Sequence, residues 1–400
     1  MNNLFKNRDI FLLWVGQFIS HIGDSIYMIA LPWLILDFTG SKTSTALVTA
    51  STYLPTLIFG LFAGTIVDRF SRKAIMMISD LLRAITVILI PIFIITGNQS
   101  TLIIGVVAFF LSTFGTLFYP ARDSLIPSLV NSKDLPLVNS LISTSGQLSH
   151  LIAPLIAGLL VGVVGLTHLF TIDSITFIIS FIFIHFIKIK SKNHTLNSNS
   201  YFNDFKSGLK YLKSAHEIRT LIFMTSTNNI FIMGPAIIGI PVYIVEVLKE
   251  DFTTLAILES SMALGMLCGS FIIIKFLKNI SLIKILFFGI LFDGITYSFL
   301  YFTELKFVVV LILFIHGIGI PMIVVSRTNI IQKLIPNKFR GRIFAMVNMS
   351  VLGTTAISSL LTGLYLEYFS SQSLFLIIGI CAMSTVLIGF FSKELMSKSI

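Results

Sequence analysis

The chain has 400 residues, 55% of them hydrophobic and only 12% charged, with a mean hydropathy of +0.94. Soluble globular domains carry roughly 25% charged residues, so a water-soluble body is excluded. The apolar runs are long and continuous rather than alternating, and only helices or closed barrels satisfy every backbone group in lipid, so the chain is expected to be an all-α membrane protein.

Spanning a bilayer takes about 20 apolar residues per helix. The sequence predicts twelve transmembrane helices, at 10–36, 44–67, 74–96, 101–120, 137–164, 168–188, 218–247, 253–277, 281–302, 306–331, 343–366 and 371–392. The first run exceeds the roughly 7–15 residues of a signal-peptide core and is expected to be retained. Asp24 lies about 21 Å of helix into it at 1.5 Å per residue, close to the midplane, with His21 three positions earlier on the same face. Between spans two and three stands GTIVDRFSRK, Gly64 to Lys73. Span three carries Asp80 and Arg83 at i, i+3, expected to neutralise each other as a structural pair. Arg122 is expected in the cytoplasmic loop after span four.

Further intramembrane ionisable candidates are His150 in span five, Asp173 in span six, Glu259 in span eight, Asp293 in span nine and His316 in span ten. Such groups cost at least about 2.5–3.5 kcal/mol each on insertion scales and are functional candidates by default. Asp24 leads, with His21, Glu259 and Asp293 as further candidates for proton coupling or substrate binding. Glu259 precedes SSMALGMLCGS, small residues that permit close helix approach. Asp293 is expected on a span peripheral to the pathway, and His150 and His316 could relay protons, although a lone intramembrane histidine is more often a helix-to-helix hydrogen-bond partner. Cys268 and Cys381 sit in apolar runs and define no disulfide or zinc site. No metal spacing, Walker phosphate loop or nucleophile–base arrangement occurs, so no cofactor is expected and the chain does not read as an enzyme.

Residues 189–217 divide two halves of six spans. In the second part of this stretch Phe202, Phe205, Leu209 and Leu212 recur at helical spacing beside Lys206, Lys210 and Lys213, the pattern of a helix lying on a membrane surface. The expected domains are therefore 1–188, a cytoplasmic linker 189–217, and 218–400. Of the 28 lysines and arginines, only Lys42, Lys249 and Lys306 fall in outer loops when the N-terminus is cytoplasmic, and only Arg83 and Arg327 fall within spans. The positive-inside rule then puts both termini in the cytoplasm. The net charge of +10 reflects that topology and contact with anionic lipid, with no nucleic-acid partner implied. The halves echo each other: RDSLIPSLVNSKDLPLVNS from Arg122 and RTNIIQKLIPNKFRGRIFAMVNM from Arg327. Parallel six-span repeats are a transporter architecture.

GTIVDRFSRK resembles the loop signature of the major facilitator superfamily, with Ser71 where a glycine is usual. GDSIYMIALPWLILDFTGS, FKSGLKYLK and QKLIPNKFRGRIFAMVN narrow the resemblance to the drug:proton antiporter branch that contains macrolide efflux pumps and the enterobactin exporter. It covers essentially the whole chain and implies the major facilitator fold, two six-helix halves. Ala153-Pro154 replaces the Gly-Pro common in span five of exporters. The arginine that a neighbouring branch carries deep in span four is absent from GVVAFFLSTFGTLFY, so no coupling role passes from it. The loop match implies a cytoplasmic gate in which Asp68 pairs near helix ends and with Arg122, while Arg69, Arg72 and Lys73 face anionic headgroups. A purely topological basic loop is the simpler alternative.

The function expected is secondary active export of amphipathic organic compounds, of drug or macrolide type, by proton antiport and alternating access. Its partners would be small amphipathic substrates, protons and anionic membrane lipids, and it would work as a monomer in the cell membrane. A dedicated siderophore or secondary-metabolite exporter is the alternative within the class. A non-transporting sensor or lipid scramblase is the alternative outside it.

Overall fold

The computed structural model describes residues 7–131, 133–188, 201–276 and 280–396, without the side chains of Leu61, Thr65, Asp68, residues 201–206, Phe276, Asn337 and Lys338. The side chains of Asp68, Phe202, Phe205 and Lys206, and residues 189–200 of the expected linker, thus lie outside the described residues. Every regular element among those described is helical.

The chain forms two compact units, residues 1–38 with 51–201, and residues 39–50 with 202–400. In the first unit stand α1 (Arg8–Thr39), α3 (Leu54–Arg69), α4 (Arg72–Ile95), α5 (Thr101–Leu129), α6 (Leu135–Val164) and α7 (Leu166–His185). α2 (Lys42–Ser51) packs almost wholly with the second unit. There Lys42 pairs with Glu246 at 2.7 Å, Thr43 donates to Glu367 at 3.0 Å and Ala46 lies against Gly363.

The expected second span, 44–67, is therefore two helices broken at Thr52–Tyr53. Pro55 accounts for the break, because it has no N–H to continue the ladder and its ring clashes with the carbonyl four residues earlier. For the same reason eleven helices among the described residues, not twelve, are individually long and apolar enough to cross a membrane, and neither α2 nor α3 is one of them.

The second unit continues with α8 (Tyr201–Ser214), α9 (His216–Gly234) and α10 (Ile240–Tyr243). Wide π-turns at Pro235–Gly239 and Ile244–Leu248 flank α10, carrying this crossing past Pro235 and Pro241. Then follow α11 (Phe252–Phe276), α12 (Leu282–Phe299), α13 (Lys306–Leu334), α14 (Asn337–Tyr368), α15 (Ser371–Ser384), α16 (Val386–Phe390) and α17 (Lys393–Met396). The sequence echo is also a register echo. α5 and α13 are each 29 residues long and carry Arg122 and Arg327 at the same position along the helix.

Both units expose many large apolar side chains while burying charged and polar ones within an otherwise apolar interior. Val163 is 84% exposed and Phe307 79%, while Asp80 and Asp173 are fully buried. That inversion suits a lipid surround, where helix association rests on close packing rather than on the hydrophobic effect. The expected surface helix is a partial exception. On α8, Leu209 is exposed, but Tyr211 stacks on Phe339 at 4.5 Å and Gly208 abuts Arg342 and Met346 of α14. Part of its apolar face is thus covered by protein.

Backbone closeness is greatest between α11 and α13. A Cβ on Gly265 would meet the carbonyl oxygen of Phe314, and one on Gly317 that of Met262. The glycines of SSMALGMLCGS form a helix-contact surface, and a side chain at Gly265 or Gly269 must push two backbones apart. Overpacking of this kind costs about 1–3 kcal/mol. Gly265→Ala and Gly317→Ala are each expected to lower the thermal midpoint of the detergent-solubilised protein by several degrees. Gly162→Ala, whose new Cβ would meet nothing within 4 Å, should leave it unchanged.

Candidate functional site

The first unit concentrates its intramembrane charge around Arg83. α1 supplies His21 and Asp24 one turn apart, α4 supplies Asp80 and Arg83, and α5 supplies Tyr119 and Arg122, again one turn apart. Arg83 Nη2 forms an ion pair with Asp24 Oδ1, and its Nη1 lies 3.7 Å from Asp80 Oδ1. The expected self-contained Asp80–Arg83 pair is thus the weaker part of a triad whose stronger bond crosses from α4 to α1. The guanidinium face lies 3.9 Å from the Phe177 ring of α7 and 5.8 Å from Phe118 of α5. A planar, delocalised cation can be held by carboxylates at its edge and by aromatics at its face, and this one is held by both.

Exposure separates the members of the triad. The Arg83 and Asp80 side chains are 5% and 0% exposed, whereas Asp24 retains 20%. Asp24 is thus the carboxylate through which this buried charge system meets its surroundings. Its second oxygen receives the Tyr119 hydroxyl at 3.5 Å. The His21 ring stacks over Tyr119, 6.1 Å between centroids and 8° between planes, and its Nε2 lies 3.5 Å from Arg122 Nη1. The Ser25 hydroxyl lies 2.9 Å from His150 Nδ1 and donates to the His21 carbonyl at 2.7 Å. Asp173 of α7, fully buried, rests against Gly23 and Thr176, with one carboxylate oxygen lacking any hydrogen-bond partner.

Arg122 departs from expectation. It lies on α5, not in a loop after it, because the helix runs on through Pro120 and Pro127 to Leu129. Its ion pair is with the adjacent Asp123 at 2.8 Å, and its guanidinium sits 5.2 Å from the Tyr119 ring. The loop residues are also partly committed within the unit. Lys73 Nζ donates to the carbonyls of His185 and Ile187 at 2.6 and 2.8 Å, a cation at the C-terminal end of α7 where helix carbonyls are unsatisfied. Arg69 is exposed and Arg72 half-buried.

In the second unit, Asp293 is buried on α12 and faces His316 of α13. Glu259 is half-buried on α11, within electrostatic reach of Tyr297. Tyr119, Phe177 and Tyr297 were not singled out by the sequence. Tyr119 stands one turn before Arg122, a spacing that could have flagged it, whereas Phe177 is one of 37 phenylalanines with nothing to distinguish it. Among the described residues no group of three or more His, Cys, Asp or Glu could hold a metal ion.

Two helical units around charged interior side chains define a multi-pass membrane transporter. The family model for the Major Facilitator Superfamily matches residues 13–351 and 222–397, and the chain belongs to that superfamily. Among relatives, it is 24% identical over 374 residues to macrolide efflux protein A of Streptococcus pyogenes, covering 92% of each chain. It is 27% identical over 219 residues to the multidrug efflux pump Tap of Mycobacterium tuberculosis, covering 53% of this chain and 52% of the pump. Its fold resembles an inward-facing bacterial homologue of the iron transporter ferroportin, with TM-score 0.76, 15% identity, and 95% and 98% of the two chains covered. A point mutant of the nucleoside transporter NupG gives TM-score 0.74, 14% identity, and 94% and 98% coverage.

Breaking a buried ion pair by removing one partner costs about 3–5 kcal/mol, because the other charge is left uncompensated. Arg83→Gln is therefore expected to lower thermal stability sharply, and Asp24→Asn to relieve part of that loss when combined with it. A double-mutant cycle on purified protein should return a coupling of at least about 1 kcal/mol. Additive effects would show that the two side chains do not interact.

Proposed function

We propose that the chain is a secondary active exporter of small amphipathic organic compounds, driven by proton antiport and working by alternating access. The observation that carries this reading is the Asp24–Arg83 ion pair, formed between two helices, with only the carboxylate partly exposed. Adding a proton to Asp24 abolishes the charge that holds Arg83 to α1 and leaves Arg83 with Asp80 alone. Removing it restores the bond. Proton occupancy is thereby converted into a change of helix-to-helix attraction inside a low-dielectric unit, where Coulomb energies are large.

The surroundings of Asp24 suit an amphipathic cargo. Tyr119 and His21 offer a stacked aromatic surface, and the ionised Asp24 favours a cationic group that its neutral form releases. Glu259 and Asp293 are further coupling candidates in the second unit. The names of the relatives, a macrolide efflux protein and a multidrug efflux pump, support export of small organic molecules. Both termini lie in the cytoplasm. Asp68, Arg69, Arg72, Lys73 and Arg122 form the cytoplasmic gate, with the exposed basic residues on anionic lipid, and the protein acts as a monomer.

The test is efflux from proteoliposomes under an imposed pH gradient, with a macrolide antibiotic and a lipophilic cationic dye as cargo, at matched reconstitution. Asp24→Asn, fixed in the neutral form, should lose at least about tenfold in gradient-driven rate, equivalent to ~1.4 kcal/mol. Passive exchange of cargo should survive. Asp24→Glu keeps the charge on a longer arm and should retain partial activity. An active Asn variant beside a dead Glu variant would make Asp24 a structural residue and end the coupling assignment.

A further inference from the structure

A polar stripe runs along α6, a crossing whose outer surface would be apolar throughout if lipid covered all of it. Ser140, Ser143, Thr144, Gln147 and His150 are exposed, and at 3.6 residues per turn they share an arc of roughly 120°. The exposed Leu148, Leu155 and Leu159 fall on a neighbouring arc. Ser145, Ser149 and Ala153 are buried on the remaining face. The leucines suit lipid and the buried face packs within the unit. An ionisable side chain inside a span faces protein or a water-filled cavity rather than lipid, so the arc that ends at His150 faces a polar medium.

The buried face fixes how α6 meets α1. Trp14 Nε1 donates to Ser145 Oγ, and Ser149 Oγ donates to the Phe18 carbonyl at 3.3 Å. Beyond these, the Ser25 hydroxyl stands 2.7 Å from the His21 carbonyl and 2.9 Å from His150 Nδ1. A carbonyl can only accept, so the single hydroxyl proton goes to it. Neutral His150 therefore donates from Nδ1 to Ser25 and carries an acceptor lone pair at Nε2. That nitrogen has no hydrogen-bond partner among the described residues.

His21 offers no such acceptor. Its Nε2 lies 3.5 Å from Arg122 Nη1, and a guanidinium can only donate, so that lone pair is taken. The Tyr119 hydroxyl gives its proton to Asp24. His150 lies within electrostatic reach of both Asp24 and His21. Beside the partly exposed Asp24 carboxylate, then, stands a second acceptor, neutral and fixed in direction by Ser25.

We propose that His150 is a specificity-determining residue, its Nε2 accepting a hydrogen bond from an N–H or O–H group of the cargo while Asp24 meets the cargo's positive charge. This site rests on the export reading for its cargo and adds one chemical requirement, a donor beside the charge. Cations with a secondary or primary amine, or with a hydroxyl next to the charged nitrogen, bind better than fully alkylated cations of similar size. Ser140, Ser143, Thr144 and Gln147 lead along the same face of α6 to that acceptor and suit a cargo that still carries water.

Fluorescence-polarisation binding to the purified full-length protein tests this with a pair of rhodamine ester dyes of equal charge, one bearing secondary N–H groups and one fully N-alkylated. The wild type should bind the N–H dye more tightly. His150→Asn keeps a donor to Ser25 near the place of Nδ1 and deletes the acceptor at Nε2. It should weaken the N–H dye about fivefold, the worth of one net hydrogen bond, and leave the alkylated dye unchanged. His150→Gln, which can set an amide oxygen near the place of Nε2, should recover most of that loss. If the Asn variant fails to fold, His150→Phe keeps a ring, removes both nitrogens and should lose the same preference. Equal weakening of both dyes, no change in either, or a wild type indifferent to the N–H groups would overturn the assignment. Selective binding without gradient-driven efflux from proteoliposomes would count against the export reading and leave the site standing.

Discussion

A guanidinium cannot be left bare inside lipid, and much of the first unit is arranged around that constraint. Arg83 is 5% exposed, and neither water nor headgroups can neutralise it. Its partners come from four helices: Asp24 from α1, Asp80 from its own α4, Phe118 from α5 and Phe177 from α7. Each contact also fixes a helix. The α1–α4 ion pair sets the register that brings Asp24 to Tyr119, and Tyr119 in turn supports His21 and approaches Arg122. One charge thus organises both the packing of the unit and the polar surface of its candidate site.

Among the described residues, the second unit buries its polar groups without a comparable ion pair to an arginine. Its helices approach through glycine, with Gly265 and Gly317 set against backbone carbonyls, and its innermost carboxylate faces an imidazole rather than a guanidinium. The difference is chemical. Arginine stays charged under all ordinary conditions, so only the acid beside it can titrate, whereas histidine and aspartate can share a proton and remain neutral together. The two units therefore bury different charge arrangements, a guanidinium with carboxylate partners and a carboxylate that faces an imidazole.

The comparisons bear on fold and function unequally. Solved structures at 14–15% identity with TM-scores of 0.74 and 0.76 are named as nucleoside and iron transporters or their homologues, so one scaffold serves unlike cargoes and the fold alone selects none. The sequence relatives match over most of the chain in one case and about half in the other, and their efflux names narrow the class further than the architecture does.

The sequence by itself determined the class, the approximate position of every crossing, the repeat and the superfamily. These follow from length, hydropathy and charge placement, which act locally and leave a linear trace. It also marked Asp24, Arg83, Asp293 and His316 as unusual, because any ionisable residue in an apolar run is conspicuous. What it left open was which of them meet. Spacing along α4 suggested Asp80 for Arg83, but helix packing brought Asp24 nearer. Pattern alone placed Arg122 in a loop, but α5 continued through two prolines and carried it onto the helix. Asp293 was conspicuous in its apolar run, but only packing set His316 of α13 beside it. Partnership across helices depends on rotation and register about each axis, and those are decided by the packing of the whole unit rather than by any stretch of neighbouring residues.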